Sequence, residues 1–283
     1  MSRLTTPVFA AVAFMLATSA HGADLYVPPI EAPPPPPQII EQPASVGGWY
    51  LRGDIGYRWS ELRGTEYITY GPPPGTSEFT TTDLDGAMSL GGGIGYQITR
   101  HFRTDLTADY WFDSDFRGTT AGFCGGVPCT STDRTAYSAL LLMANAYVDL
   151  GTFYGFTPYV GAGIGGARIK WDRLQNTIGD DDFYHDGGKE WRFAWSLMAG
   201  ASYCLTQNLQ LDAGYRFTRI EGGKMFEFGS GVGPGFDDGL NVHEARAGLR
   251  YSFGGANANC AVPQTIAYEP PPYEPPAEPV IYK

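Results

Sequence analysis

The chain has 283 residues, a net charge of −11 and a pI near 4.7, with 14% aromatic residues and 38 glycines. That acidic balance leaves no basic stripe to meet phosphates, so nucleic-acid binding is not expected. A glycine- and aromatic-rich chain of modest hydrophobicity fits a membrane barrel with a lipid face and a polar interior.

Residues 1–22 read as a secretory signal peptide. Arg3 gives a basic start, VFAAVAFMLA an apolar core, and Ala20-His21-Gly22 a cleavage site with small residues at −3 and −1. The apolar run is shorter than the roughly 20 residues a spanning helix needs, and no other segment approaches that length. Membrane embedding must therefore come from strands. Residues 23–46 hold VPPIEAPPPPPQIIEQP and residues 254–283 end in YEPPPYEPPAEPVIYK. Such runs favour extended polyproline II and bury no core, which makes them spacers or tails.

Between them, residues 47–253 form one domain of eight alternating strands. The first, 48–60, sets Trp49, Leu51, Ile55, Tyr57 and Trp59 against Arg52, Asp54 and Arg58. The second, 84–98, has Met88, Leu90, Ile94, Tyr96 and Ile98 outward and Asp85, Ser89, Gly91, Gly93, Gly95 and Gln97 inward. The third, 102–113, opposes Phe102, Leu106, Ala108, Tyr110 and Phe112 to Arg103, Asp105, Thr107 and Asp109. In the fourth, 136–150, LLLM is apolar on both faces, and placing Asn145 and Asp149 inside sends Leu140, Leu142, Ala144 and Val148 to lipid. The fifth, 158–171, shifts phase near Gly165-Gly166, which suggests a bulge.

The sixth strand, 191–204, turns Phe193, Trp195, Leu197 and Tyr203 out over Arg192, Ser196, Gly200 and Ser202. The seventh, 209–219, sets Leu209, Leu211, Tyr215 and Phe217 against Asp212, Gly214, Arg216 and Thr218. The eighth, 241–253, sets Ala245, Ala247, Leu249, Tyr251 and Phe253 against Glu244, Arg246, Gly248 and Arg250.

Long connections (61–83, 114–135, 172–190, 220–240) alternate with short ones (TRH, GTFYGFT, LTQN). This rhythm predicts an all-β, eight-stranded antiparallel up-and-down transmembrane barrel with short periplasmic turns and four long external loops. A soluble barrel of the lipocalin kind would point its polar face outward.

The predicted lumen carries Asp54, Asp85, Asp105, Asp109, Asp149, Asp212 and Glu244 beside Arg52, Arg58, Arg103, Arg192, Arg216, Arg246 and Arg250. An eight-stranded barrel is just wide enough for side chains to fill, and buried charges must pair, so an interlocked network is expected instead of an open pore. A pore would need a wider barrel and a constriction ring of one sign.

The cysteines fit an oxidising compartment. Cys124 and Cys129 enclose the tight CGGVPC loop, which leaves Cys204 and Cys260 as the second pair, although sequence alone permits three pairings. A metal site is the rival reading, without a histidine at ligand spacing. Asp180-Asp181-Asp182, followed by Tyr184, His185 and Asp186, is read as a solvated acidic tip before a calcium site, because the spacing is not that of a calcium loop. His243 and Glu244 fall on opposite faces by alternation, so they form no acid–base pair. Neither an enzyme nor a cofactor is expected. Phe123, Phe183, Tyr184, Phe226, Phe228 and Phe236 in the outer loops are read as packing before binding contacts.

Residues 246–253, RAGLRYSF, resemble the closing assembly signal of outer-membrane barrels, with Arg246, Gly248, Tyr251 and Phe253 at the matching positions. The resemblance implies recognition by the barrel-assembly machinery; most such signals end the chain, whereas thirty residues follow here. With GWYLRGDIGY, TPYVGAGIGGA and LQLDAGYRF, residues 47–253 resemble the small outer-membrane barrels of alphaproteobacteria, the OmpA-like or "porin family" proteins. That likeness implies a Gram-negative outer-membrane location, a role in envelope integrity, and contacts with outer-membrane lipid, lipopolysaccharide or a host, without a catalytic site. Some barrels of that group with a mature Ala-Asp start are joined to peptidoglycan through the N-terminal amine, which would make Ala23 the attachment point and 25–46 a spacer of up to about 70 Å. The plainer reading is that Ala23-Asp24 merely follows a cleavage site. The expected function is that of a structural, monomeric envelope barrel. Surface adhesion through the long loops and a small passive channel are the alternatives.

Overall fold

A computed structural model describes residues 40–41, 47–69, 75–226, 232–254, 257, 259–260 and 265–266. The signal segment, Ala23, Phe228 and most of both Pro-rich segments lie outside the described residues. Eight principal strands run through the domain: β1 Gly48–Leu62, β2 Ala87–Gln97, β3 Phe102–Cys124, β4 Val127–Asp149, β5 Phe156–Trp171, β6 Lys189–Cys204, β7 Leu209–Phe226 and β8 Val232–Ser252. Each pairs antiparallel with its neighbour in sequence. The ring closes where β8 pairs with β1, from Leu240 opposite Leu62 to Ser252 opposite Tyr50. Closure leaves no free edge, the condition for strands to cross lipid.

Period-two alternation decides which face each residue takes. Along β1, Tyr50, Arg52, Asp54 and Arg58 are buried inside while Trp49, Leu51, Ile55, Tyr57 and Trp59 stand exposed on the outer wall. The same outward apolar wall runs round the barrel, from Leu106 and Tyr110 on β3 to Leu249 and Tyr251 on β8, over an interior that is charged except toward the hairpin end.

Two local expectations do not hold. No bulge occurs at Gly165-Gly166; β5 keeps continuous register with β4 and β6 from Phe156 to Trp171. A run of glycine and alanine simply carries too few apolar side chains for its phase to be read. The bulge lies in β3 instead, where the register shifts between Trp111 and Ser114 so that both face inward. The long connections are also mostly strand. β3 and β4 continue as a paired hairpin to Cys124 and Val127, turning at Gly125 and Gly126 with φ of 61° and 89°. Short strands at Thr65–Thr69, Gly75–Glu78, Thr81–Leu84, Leu174–Ile178 and Asp181–His185 add to this rim. Apolar alternation ends where lipid ends, but backbone pairing needs only a neighbouring strand and so continues.

Both disulfides form as the loop spacing suggested, Cys124–Cys129 and Cys204–Cys260. The second holds a hook of chain after β8 against the short-turn end, where the Asn257 amide donates to the Gln207 carbonyl at 2.8 Å. Beyond the hook, Ile40–Glu41 pairs antiparallel with Thr265–Ile266.

Gly95 shows how closely the inner wall is filled. A Cβ placed there would lie 2.2 Å from the Tyr50 ring and 2.6 Å from the Thr104 carbonyl oxygen. The absent side chain lets Tyr50 lie flat and donate to Asp105 at 3.1 Å. Gly95→Val is expected to displace that ring and cost about 2–3 kcal/mol, since overpacking a filled interior forces off-rotamer side chains. Urea unfolding in lipid vesicles, followed by tryptophan fluorescence, reads the loss; a variant as stable as the parent would contradict this packing.

Candidate functional site

The barrel interior is built in layers. At the short-turn end, Arg103 donates to Asp149 at 3.0 Å and lies over the rings of Tyr147 and Tyr159 at 4.0 and 4.6 Å. Gln97 also donates to Asp149, and Asn259 of the C-terminal hook reaches the same carboxylate at 3.3 Å. Asn257 donates to Ser252 at 3.0 Å. Arg250 pairs with Asp212 at 3.4 Å. The hook therefore floors the lumen, a role that no local pattern in the Pro-rich tail announced.

In the middle layer Arg52 bridges Asp54 at 2.7 Å and Asp105 at 3.0 Å. Asn145 donates to Asp105 at 2.7 Å. Arg216 joins Asp109 at 2.7 Å and Glu244 at 2.6 Å, and Ser89 donates to the other oxygen of Glu244. Arg246 ties Asp109 at 2.9 Å back to Asp54 at 3.3 Å. One chain of contacts thus links strands β1 and β3 with β7 and β8 from the other end of the domain. A cavity of about 10 Å³ remains, lined by Arg52, Asp54, Tyr147, Asp212 and Arg246 among others. That is room for about one water molecule.

Toward the hairpin end the interior becomes apolar. Arg58, fully buried, has no carboxylate in ion-pair contact among the described residues; its guanidinium lies 5.1 Å from the Trp111 ring centre and 4.8 Å from that of Tyr137. It also hydrogen-bonds Tyr137 and Ser60. Above it, Phe116, Leu141, Trp171, Met225 and Phe226 form a continuous core with Trp111 and Tyr137.

Asp85 corrects the predicted lumen. It lies two residues before the start of β2, half-buried, and pairs with the exposed Arg117 at 2.9 Å. Asp237 takes an inner position in its place, receiving Arg192 at 2.7 Å. Arg192 also meets Glu190 at 3.0 Å. Sequence reading missed Asp237 because its strand extends past the lipid band, where the outward residues are no longer apolar and the period fades. The other predicted lumen residues all lie on the inner wall with the partners named above.

The remaining candidates separate. His243 faces outward, 2.5 Å from the Tyr215 hydroxyl, while Glu244 faces inward on Arg216. Asp182 accepts from Thr177 at 2.7 Å, and no group of three or more metal-ligating residues occurs among the described residues. Phe226 packs in the upper core, whereas Phe123, Phe183 and Tyr184 are exposed. In the rim, Asp133 accepts from Asn176 at 2.5 Å and Ser131 at 3.0 Å, fastening the 174–185 hairpin to β4. Burial pushes its carboxyl above the usual range, against those hydrogen bonds. Burial likewise holds nearby His185 below the ordinary histidine value.

A family model described as "Outer membrane protein beta-barrel domain" matches residues 10–253. The chain belongs to this family. An uncharacterized protein of Brucella abortus is 37% identical over 276 residues, covering 83% of this chain and 93% of that protein. The outer membrane protein PagN of Salmonella typhimurium is 30% identical over 48% of this chain and 59% of its own length. Among solved structures, Neisserial surface protein A is 20% identical with a TM-score of 0.40, covering 73% of this chain and 97% of that one. Membership places the barrel in the Gram-negative outer membrane.

Two outcomes follow from this geometry. Arg216→Met would strand Glu244 and weaken Asp109 inside the barrel, an expected loss of about 3–5 kcal/mol, as for other broken buried pairs; a loss under about 1 kcal/mol in vesicle unfolding would show that the network is not holding the strands. For Asp133 the raised folded value means stability that is fully present below the unfolded value of about pH 4 and is lost as pH rises through the higher folded value. His185 acts oppositely, weakening docking as pH falls through its lowered value. Asp133→Asn should therefore abolish the carboxyl's share, leaving amide exchange at Gln175–Thr177 to follow His185 alone; an unchanged pH profile would refute the assignment.

Proposed function

We propose that this protein is a non-enzymatic, sealed structural barrel that contributes to envelope integrity and holds its β-rim outside the cell. The filled lumen carries the reading: ion pairs of 2.6–2.9 Å joining Arg216 and Arg246 to Asp109 and Glu244 occupy the middle, with an apolar core above and the disulfide-held hook below. In this orientation the short turns and both chain ends face the periplasm. The AGLRYSF segment serves as the assembly signal through Gly248, Tyr251 and Phe253, and Ala23 is the candidate peptidoglycan attachment point. The pairing of Ile40–Glu41 with Thr265–Ile266 supports a common location for the two tails.

A second reading, surface adhesion, draws on the β3–β4 hairpin. Residues 118–132 contain no charged side chain, the Cys124–Cys129 disulfide closes the tip, and Phe123 and Val127 stand 77% and 66% exposed there. Some relatives carry adhesin names; a "putative adhesin" of Rickettsia bellii is 26% identical over 167 residues. The two readings are compatible, and the small-channel alternative is separated from both by conductance. The refolded protein in planar bilayers is expected to give no stable single-channel steps, and large steps would overturn the sealed barrel. Replacing 120–131 by a short turn is expected to spare detergent resistance of the cells; concurrent loss of surface binding would make adhesion the primary role.

A further inference from the structure

The outer wall near the hairpin end carries cations that the lumen network does not use. Register sets Lys170 of β5 directly opposite Lys189 of β6, and Arg168 opposite Trp191. All four are exposed, and by alternation they share the outward face of the barrel. Residues directly opposite on paired strands have Cβ atoms about 5 Å apart, and like charges there are destabilising. Asp172, 2.7 Å from Lys170, is the one carboxylate in ion-pair contact with the three cations among the described residues. Asp113 influences Lys170 from farther away, and Arg168 and Lys189 have no ion-pair partner among the described residues. Three positive charges, against Asp172 in contact and Asp113 farther off, leave the cluster net positive.

The height of the cluster matters as much as its charge. Immediately toward the membrane centre the same strands present Ile164 and Phe193 to lipid, and the Trp191 indole packs over Gly166. Indoles favour the level where acyl chains meet headgroups. The cations therefore stand at headgroup level, with Arg168 able to offer a planar fork and the lysines point charges.

We propose that Arg168, Lys170 and Lys189 bind the phosphate of a phosphorylated lipid in the outer leaflet. Three cations on one outward face favour a phosphomonoester, which carries about −1.5 to −2 at neutral pH, over a phosphodiester with one charge. The phosphorylated glycolipid portion of lipopolysaccharide is the source of that chemistry that this leaflet supplies. The assignment rests on the membrane orientation given above.

The test uses the full chain refolded in detergent micelles and native mass spectrometry. The probes are a bisphosphorylated glucosamine-disaccharide lipid, its dephosphorylated form, phosphatidylglycerol and inorganic phosphate. The parent is expected to retain the bisphosphorylated lipid at least tenfold better than the dephosphorylated lipid or phosphatidylglycerol, with no competition from equimolar inorganic phosphate. The R168Q/K189Q variant should lose that preference, while R134Q, which alters an exposed arginine on the β3–β4 hairpin, should keep it. Heat-modifiable gel migration checks that each variant is folded; if the double variant fails it, K189Q alone is tested for a partial loss. Equal retention of phosphorylated and dephosphorylated lipid, an unchanged preference in the folded variants, or the same loss in R134Q would overturn the site. Protease cleavage of the Cys124–Cys129 hairpin in intact cells reads the orientation separately, so failure of the site and failure of the orientation are distinguishable.

Discussion

The structure depends on a constraint set by closing eight strands around charge: every buried guanidinium must find a carboxylate or an aromatic face. The Arg216 contacts with Asp109 and Glu244 show how this works. Asp109 comes from β3, Arg216 from β7 and Glu244 from β8, so one charge group fixes the relative height of strands that do not all adjoin. A register slip of one residue would turn these side chains toward lipid, where charge is costly. The backbone hydrogen bonds hold neighbours together, and the charge network selects which neighbours and in what register. Arg58 shows the second solution, in which aromatic rings replace the missing carboxylate.

The same layering divides the lumen in two. Ionic packing occupies the part of the lumen surrounded by lipid. Apolar packing, centred on Trp111, Phe116 and Trp171, fills the part near the rim, where water lies outside and an ordinary hydrophobic core becomes favourable. Between them the lumen is filled, and the β3–β4 hairpin continues from it in unbroken pairing from Ser114 to Cys124. That paired hairpin carries the Cys124–Cys129 tip, while the outer wall faces lipid. Functional capacity therefore sits on surfaces, and the interior is devoted to holding them.

Much of this could be read residue by residue. Trp49, Leu51 and Ile55 against Arg52 and Asp54 already announce an inverted barrel wall, because lipid outside and charge inside leave an unambiguous period of two. Asp85 was misplaced because it lies two residues before the start of its strand, where extrapolated alternation no longer constrains direction. The Gly165-Gly166 run misled for a related reason: glycine leaves no mark of the face it occupies. The Phe112–Asp113 bulge was hidden because the strand resumes in altered phase where no lipid-facing pattern remains to reveal the change.

Taken alone, the sequence determined the eight principal strands, most of their inward and outward faces, and the rhythm of long and short connections. All of these are local or periodic, and the bilayer imposes them on each strand separately. The tertiary structure decided which arginine meets which carboxylate, that Asp237 replaces Asp85, that the rim has an apolar core, and that Asn257 and Asn259 floor the lumen. It also set Lys170 beside Lys189. These are facts of register and closure between residues distant in the chain, and they exist only once the ring is complete.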